Sequence, residues 1–262
     1  MNLGNIFNRL EGRDLVVPLL EDAITSGEWP DSYTVTIDSA PYYGLKDVDG
    51  VGDKGGPGDG YFHPSTHSLL GERRIFLEYH PEYRKKALTE PRSVMSEMTV
   101  SVGSALHGII QTQFEMSGHL RPENIEFEYI NKEHNARGRI DFILDMPSGN
   151  TLPVELKTMN SFSFRKLEGV RDYWDAQLSM GLDNSGHDMG VLLVLEAGWP
   201  YNMREFKVRR NDELLSEIYG KFDRVLDALE SDTLPAPCCS FGSSTMKECP
   251  FRETCWGKGG LS

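Results

Sequence analysis

Three things are scarce in this chain: long apolar runs, positive charge and cysteine outside one short stretch. No run approaches the roughly 20 apolar residues that a membrane helix needs, so a bilayer-spanning role is not expected. The opening segment, MNLGNIFNRLEGRD, has no basic stretch followed by an apolar one, so no secretory signal is expected and the setting reads as cytoplasmic. There are 40 acidic residues against 27 basic ones, a net charge of −13. That balance argues against a protein that coats DNA by bulk electrostatics. It leaves room for an enzyme that keeps a local basic groove on an acidic body, because carboxylates that bind a metal count as negative until the metal arrives. The 4 cysteines, Cys238, Cys239, Cys249 and Cys255, all fall in the last tenth of the chain. In a cytosolic protein such a cluster points to a metal site rather than to disulfides.

With 262 residues, 39% of them hydrophobic and 10% aromatic, the chain can bury a full core. The text divides into an N-terminal extension (1–60), a main body (61–235) and a cysteine-rich tail (236–262), with no internal repeat. Residues 47–60, DVDGVGDKGGPGDG, hold six glycines and four aspartates and read as a loop. Their GxGxxG string (Gly50, Gly52, Gly55) has no strand before it and no helix after it, which excludes a dinucleotide site. As a calcium loop it fails at Val51 and Gly58, where oxygen ligands are needed. LVVPLLEDAIT reads as a short helix and YTVTID as a strand. A long helix is expected from about Ser93 to Ser117, with Met98, Val102, Leu106 and Ile109 on one face. Strands follow near 125–130, 137–144 and 152–156, then a helix over 170–182, the strands MGVLLVLEA and NMREFKVRR, and an amphipathic helix over 212–229. This order predicts an α/β (α+β) fold, a central mixed sheet with helices on both sides.

The densest chemistry lies in ARGRIDFILDMPSGNTLPVELK, residues 136–157. Two strand-like runs flank a Pro-Ser-Gly-Asn turn. Glu155 and Lys157 are two apart and point to the same face. A hairpin would bring Asp141 beside them. Two carboxylates and an ammonium at a sheet edge can hold a hard divalent cation and activate water against a phosphodiester. Asp141 and Glu155 are then the natural ligands for Mg²⁺ or Mn²⁺, with the backbone carbonyl of Leu156 as another. Lys157 is placed to orient or deprotonate the water, or to stabilise developing charge.

These strings resemble the PD-(D/E)XK nuclease superfamily, in particular its RecB-like branch, which includes lambda-type and CRISPR-adaptation exonucleases. The resemblance runs from about Tyr61 to the C-terminus. GRID at Gly138–Asp141 looks like the branch's G-x-x-D motif, and VELKT at Val154–Thr158 like its E-x-K motif. The resemblance implies a restriction-endonuclease-like sheet, a metal-binding histidine at His107, and a catalytic glutamine at Gln177. It offers Glu128 as a further carboxylate. Where the branch has a tyrosine four residues after the glutamine, this chain has Gly181, and Tyr173, one turn before Gln177, is the candidate replacement for DNA contact. Arg73, Arg74, Arg165 and Lys166 are the nearest candidate DNA-binding cations. Lys85, Lys86, Arg171, Arg209 and Arg210 also lie near the motifs, and Phe162 and Phe164 are candidates to stack on unpaired bases.

The tail CCSFGSSTMKECPFRETCW resembles the C-terminal iron–sulfur staple of the same branch. Cys249 and Cys255, with five residues between them, fit it. The branch's upstream ligand has no counterpart, since this chain reads GERR there, and nine residues intervene between Cys239 and Cys249. A [4Fe–4S] cluster on Cys238, Cys239, Cys249 and Cys255 is the first expectation, with structural Zn²⁺ as the alternative. The function expected from the whole is a metal-dependent DNA exonuclease in a bacterial or phage-infected cell, acting on linear or single-stranded ends with a recombination or replication protein as partner. The alternatives are a structure-specific endonuclease and a non-catalytic assembly protein on a nuclease fold.

Overall fold

Met146 donates its N–H to Asn150 O (2.9 Å) and Gly149 donates to Met146 O (2.8 Å), closing the Pro-Ser-Gly-Asn turn. Gly149 sits there at φ 80°, a conformation that costs glycine nothing. This turn folds β2 (Ala136–Asp145) onto β3 (Thr151–Met159) as an antiparallel hairpin in which Phe142 faces Val154 and Leu144 faces Leu152. The computed structural model describes residues 14–26, 29–30, 59–88, 93–257 and 260–261. The expected strand at YTVTID and most of the Gly/Asp loop lie outside them.

The hairpin is the middle of a five-stranded sheet of order β1-β2-β3-β4-β5, completed by β1 (Leu120–Asn131), β4 (Met189–Glu196) and β5 (Met203–Arg209). β3 and β4 run parallel, and β5 returns antiparallel. The β3–β4 crossover carries two helices, α5 (Ser161–Arg165) and α6 (Asp172–Ser185). All residues of β4 are buried, as expected for a strand covered on both faces. Val191 and Leu193 point to a core with Phe142, Val154 and Leu156. Leu192 and Val194 point the other way, to Trp174, Leu178 and Leu182 of α6. The first core is closed by α1 (Val17–Ser26) and α4 (Val94–Met116) through Leu20, Ile110 and Phe114. The expected mixed sheet flanked by helices is therefore present.

The long helix begins where the sequence indicates, with Ser93 capping Ser96 N at 3.1 Å. Its buried face agrees with the expected one at Leu106, which packs against the first core, but not along the rest of that line. Met98 and Val102 are exposed, and the covered line runs through Gly103, Ile110 and Phe114. The helix meets β3 closely at Gly103, where a Cβ would lie 3.0 Å from Thr158 Oγ1.

By backbone contacts the chain divides into two compact units, Met1–Ser39 with Ser93–Tyr129 and Gly138–Asn211, and Ala40–Arg92 with Ile130–Arg137 and Asp212–Ser262. The first holds the sheet. In the second, α2 (Pro64–His67) leads to α3 (Glu72–Tyr79), which packs on α7 (Asp212–Glu230), and the short helices α8 (Ser244–Glu248) and α9 (Arg252–Trp256) carry the tail. Phe62 and Phe222 meet there at 4.7 Å between ring centres. Among the described residues no helix is long and apolar enough to cross a membrane.

Candidate active site

The β2–β3 ladder ends at the pair Phe142 and Val154. One step further in the same register would put Asp141 opposite Glu155. There the Asp141 side chain takes over from the backbone, its Oδ2 accepting the Leu156 N–H at 2.6 Å. The carboxylate is thereby fixed at the point where the strands part. Glu155 is buried, and its Oε1 accepts from Lys157 Nζ (2.5 Å) and from Gln177 Nε2 of α6 (2.6 Å). Lys157 Nζ also donates to Gln177 Oε1 at 3.0 Å, closing a triangle of three side chains. Leu156 lies between the two charged residues of β3 and sends its side chain into the core.

His107 and Gln111, one turn apart on α4, reach the same place. His107 Nδ1 is 3.9 Å from Asp141 Oδ1, too long for a hydrogen bond. Gln111 Nε2 donates to Asp141 O at 3.1 Å and lies 3.4 Å from Glu126 Oε1. Glu126, rather than Glu128, is the carboxylate that joins the cluster, and it pairs with Arg139 at 3.4 Å. The reason is local. Glu126 has φ 50°, which breaks the strand's alternation, so Ile125 packs in the first core while Phe127 packs with Tyr129 and Ile140. Glu128 is exposed. Gln111 was not anticipated, although its spacing from His107 was a readable signal.

The electrostatics follow from burial. Glu155 is pushed up to about 8, by loss of solvent first and by the Asp141 charge second, with Lys157 opposing both. Burial draws Lys157 down, but Glu155 and Asp141 outweigh it and hold the ammonium above the ordinary lysine value. Burial and Asp141 also raise Glu126. Ionising these carboxyls together is therefore unfavourable in the bare site, which is the condition a divalent cation relieves. As the side chains stand, no group of three or more His, Cys, Asp or Glu among the described residues is gathered to hold a metal.

The remaining candidates separate. Arg165, Lys166 and Tyr173 are exposed on the sheet-bearing unit, with Arg171 donating to the Tyr173 hydroxyl at 3.0 Å. Phe162 is exposed, but Phe164 is a core residue rather than a stacking platform. Gly181, where a tyrosine was the expected motif residue, is explained by space: a Cβ there would lie 2.9 Å from Ile140 Cγ1. Arg73 and Arg74, expected to meet DNA, are turned inward. Arg73 is buried and donates to Pro235 O at 2.6 Å, and Arg74 bonds Glu78 and lies 3.5 Å from Cys249 Sγ. Both line one cavity with Cys238, Cys239, Cys249 and Cys255. All four are free thiols. Burial first, and neighbouring thiols next, push Cys238 up, while the Arg74 backbone opposes them. Burial likewise raises Cys255 against Arg73.

An alkaline exonuclease from Laribacter hongkongensis matches at TM-score 0.50 and 16% identity, over 66% of this chain and 90% of that one. This chain has that enzyme's fold. The same exonuclease in complex with dAMP matches at TM-score 0.43 and 14% identity, over 65% of this chain and 92% of that one. The protein SSO0001 matches at TM-score 0.44 and 19% identity, over 76% of this chain and 86% of that one. No protein-family model matches the sequence, and no curated protein matches it.

Proposed function

We propose that this chain is a metal-dependent deoxyribonuclease of the RecB-like kind that hydrolyses phosphodiester bonds at DNA ends. The observation that carries the reading is the Lys157–Glu155–Gln177 triangle set beside Asp141 at the parting of two strands. The Laribacter exonuclease supports it by its fold. Asp141, Glu155, the Leu156 carbonyl and His107 would hold Mg²⁺ or Mn²⁺, with Glu126 in the place expected of Glu128. An imidazole ligand favours Mn²⁺. When bound, the ion supplies positive charge to the phosphate and lowers the pKa of a water.

The chain's own residues do the rest. An ammonium has three N–H donors. Two of those on Lys157 are used by Glu155 and Gln177, leaving one for the attacking water or a phosphate oxygen. Gln177 fixes both partners, so Lys157 keeps one position as charge develops. Gln111 and the Leu156 N–H hold Asp141 from its backbone and side chain respectively. Arg165, Lys166 and Tyr173 are the exposed groups available to the DNA backbone.

The tail is proposed to hold a second, structural metal group, [4Fe–4S] or Zn²⁺, because four thiols line one cavity with two guanidiniums that can balance thiolate charge. Incubating the protein with linear, nicked and covalently closed circular DNA plus Mn²⁺ or Mg²⁺ tests the function. Degradation of the linear form alone is expected. Cutting of closed circles would make it an endonuclease, and no cutting with either metal would remove the nuclease reading.

A further inference from the structure

Three aromatic side chains of the sheet-bearing unit stand in water where β3 and β4 end. Phe162 is 66% exposed, Trp199 85% and Tyr201 54%. Single exposed aromatics are ordinary, but several on adjoining segments mark a contact surface. The segments are tied together. Ala197 N–H, just after β4, donates to Met159 O at the end of β3 (2.7 Å). The buried Glu196 carboxylate accepts from Asn202 Nδ2 (2.6 Å) and from the Ser161 hydroxyl, so one acid anchors both the Trp199 loop and the first turn of α5. Tyr201 N–H donates to Gly198 O (2.6 Å), closing the turn that carries Trp199. The rings are therefore held out by a braced backbone, which lowers the entropy lost on binding.

Charge and position identify the occupant. From Lys157 to Arg171 there are four basic residues and one acidic residue, in a chain that is acidic as a whole. Lys166 Nζ lies 4.0 Å from the Phe162 ring centre, so cation and π-face are presented together. Phe162 is five residues beyond Lys157, at most about 17 Å of chain. Stacked duplex bases hide their faces, whereas unpaired bases offer them to aromatic rings, and a cation alongside meets the phosphate.

We propose that Phe162, Trp199 and Tyr201, with Lys166 and Arg165, form a stacking platform for unpaired nucleotides that leads a single strand to the Asp141–Glu155 cluster. The destination of the strand rests on the nuclease reading; the platform itself does not. The test uses the full chain in EDTA, where cleavage does not interfere, with fluorescent oligothymidylate and a blunt duplex as probes. The double variant F162A/W199A should bind oligothymidylate about ten-fold or more weakly, with duplex binding and unfolding midpoint unchanged. W199F and F162Y should keep most of the affinity. Oligothymidylate should quench tryptophan emission in the parent and much less in W199F.

Unchanged single-strand affinity in the double variant would overturn the proposal, as would an equal loss on duplex. So would dissociation of a dimer by W199A with oligothymidylate affinity intact, which would make the patch a contact between copies. Trp199-dependent binding without cleavage under any metal leaves the platform and removes the nuclease, and metal-dependent cleavage with binding indifferent to both rings does the reverse.

Discussion

At the scale of single residues, Glu155 decides the site's behaviour. Its carboxyl is raised from an ordinary 4.5 to about 8 by burial and by Asp141. The folded state therefore prefers the protonated form, and the stability that this proton confers is fully present below 4.5 and lost as pH rises through about 8. Lys157 is raised as well, so its contribution is already present across that window and fades only at higher pH. In EDTA the melting temperature of the parent should fall between pH 5 and pH 8 more than that of E155Q, which has no proton to lose there. Mn²⁺ should restore most stability at the alkaline end, where the carboxylate is ionised. An E155Q profile parallel to the parent's would refute the assignment. The E-x-K and G-x-x-D strings were readable because strand alternation and a short hairpin fix where their side chains go. Glu126 was not, since a positive φ inside a strand leaves no mark that period-two counting detects. Arg73 and Arg74 misled for a related reason: sequence shows their charge but not the cavity that takes them in.

At the scale of elements, close approach and capping hold the site. Gly181 lets α6 press on Ile140, and α6 is what delivers Gln177 to Glu155. G181A should cost about 1–3 kcal/mol of stability in urea unfolding, and the smaller side chain of an I140A partner should relieve part of the strain. Additive losses in the double variant would mean that the contact is not the cause. At the far side of the sheet, Glu205 of β5 accepts the N–H groups of Leu15, Val16 and Val17 at 2.6, 2.7 and 3.0 Å. An anion at three open donors of a helix start is a strong cap, and E205Q should destabilise by about 1–2 kcal/mol. The order helix, three strands, helix, two strands, helix was legible from hydrophobic periodicity, whereas the short helices α5, α8 and α9 left no such signal. The buried side of α4 was legible only in part. Met98 and Val102 repeat at helical spacing as faithfully as Ile110 and Phe114 do, and only the packing shows which set is covered.

At the scale of the whole molecule, a net charge of −13 opposes bulk DNA binding, so the proposed function requires a local basic strip, for which residues 157–171, with four basic residues and one acidic residue, are the candidate. The cysteine tail was visible as a cluster, and the structure places all four thiols and two arginines around one cavity. C249S should lower the unfolding midpoint and remove any iron or zinc that purifies with the protein, while leaving residual cleavage per folded molecule. Metal content unchanged in C249S would refute the tail site. The fold was legible because a mixed sheet follows from the order of strands and helices. The meeting of Asp141, Glu155 and Lys157 was legible because both motifs lie on one hairpin, whereas Gln111 and Glu126 depended on how α4 and β1 come to it. The most direct measurement is Mn²⁺-dependent cleavage of linear duplex by the parent, D141A, E155Q and K157A, each shown to be folded. The parent should cut, and each substitution should slow cutting by a factor of about 100 or more. Cutting at the parental rate by any of the three would contradict the placement of the reaction where β2 and β3 part.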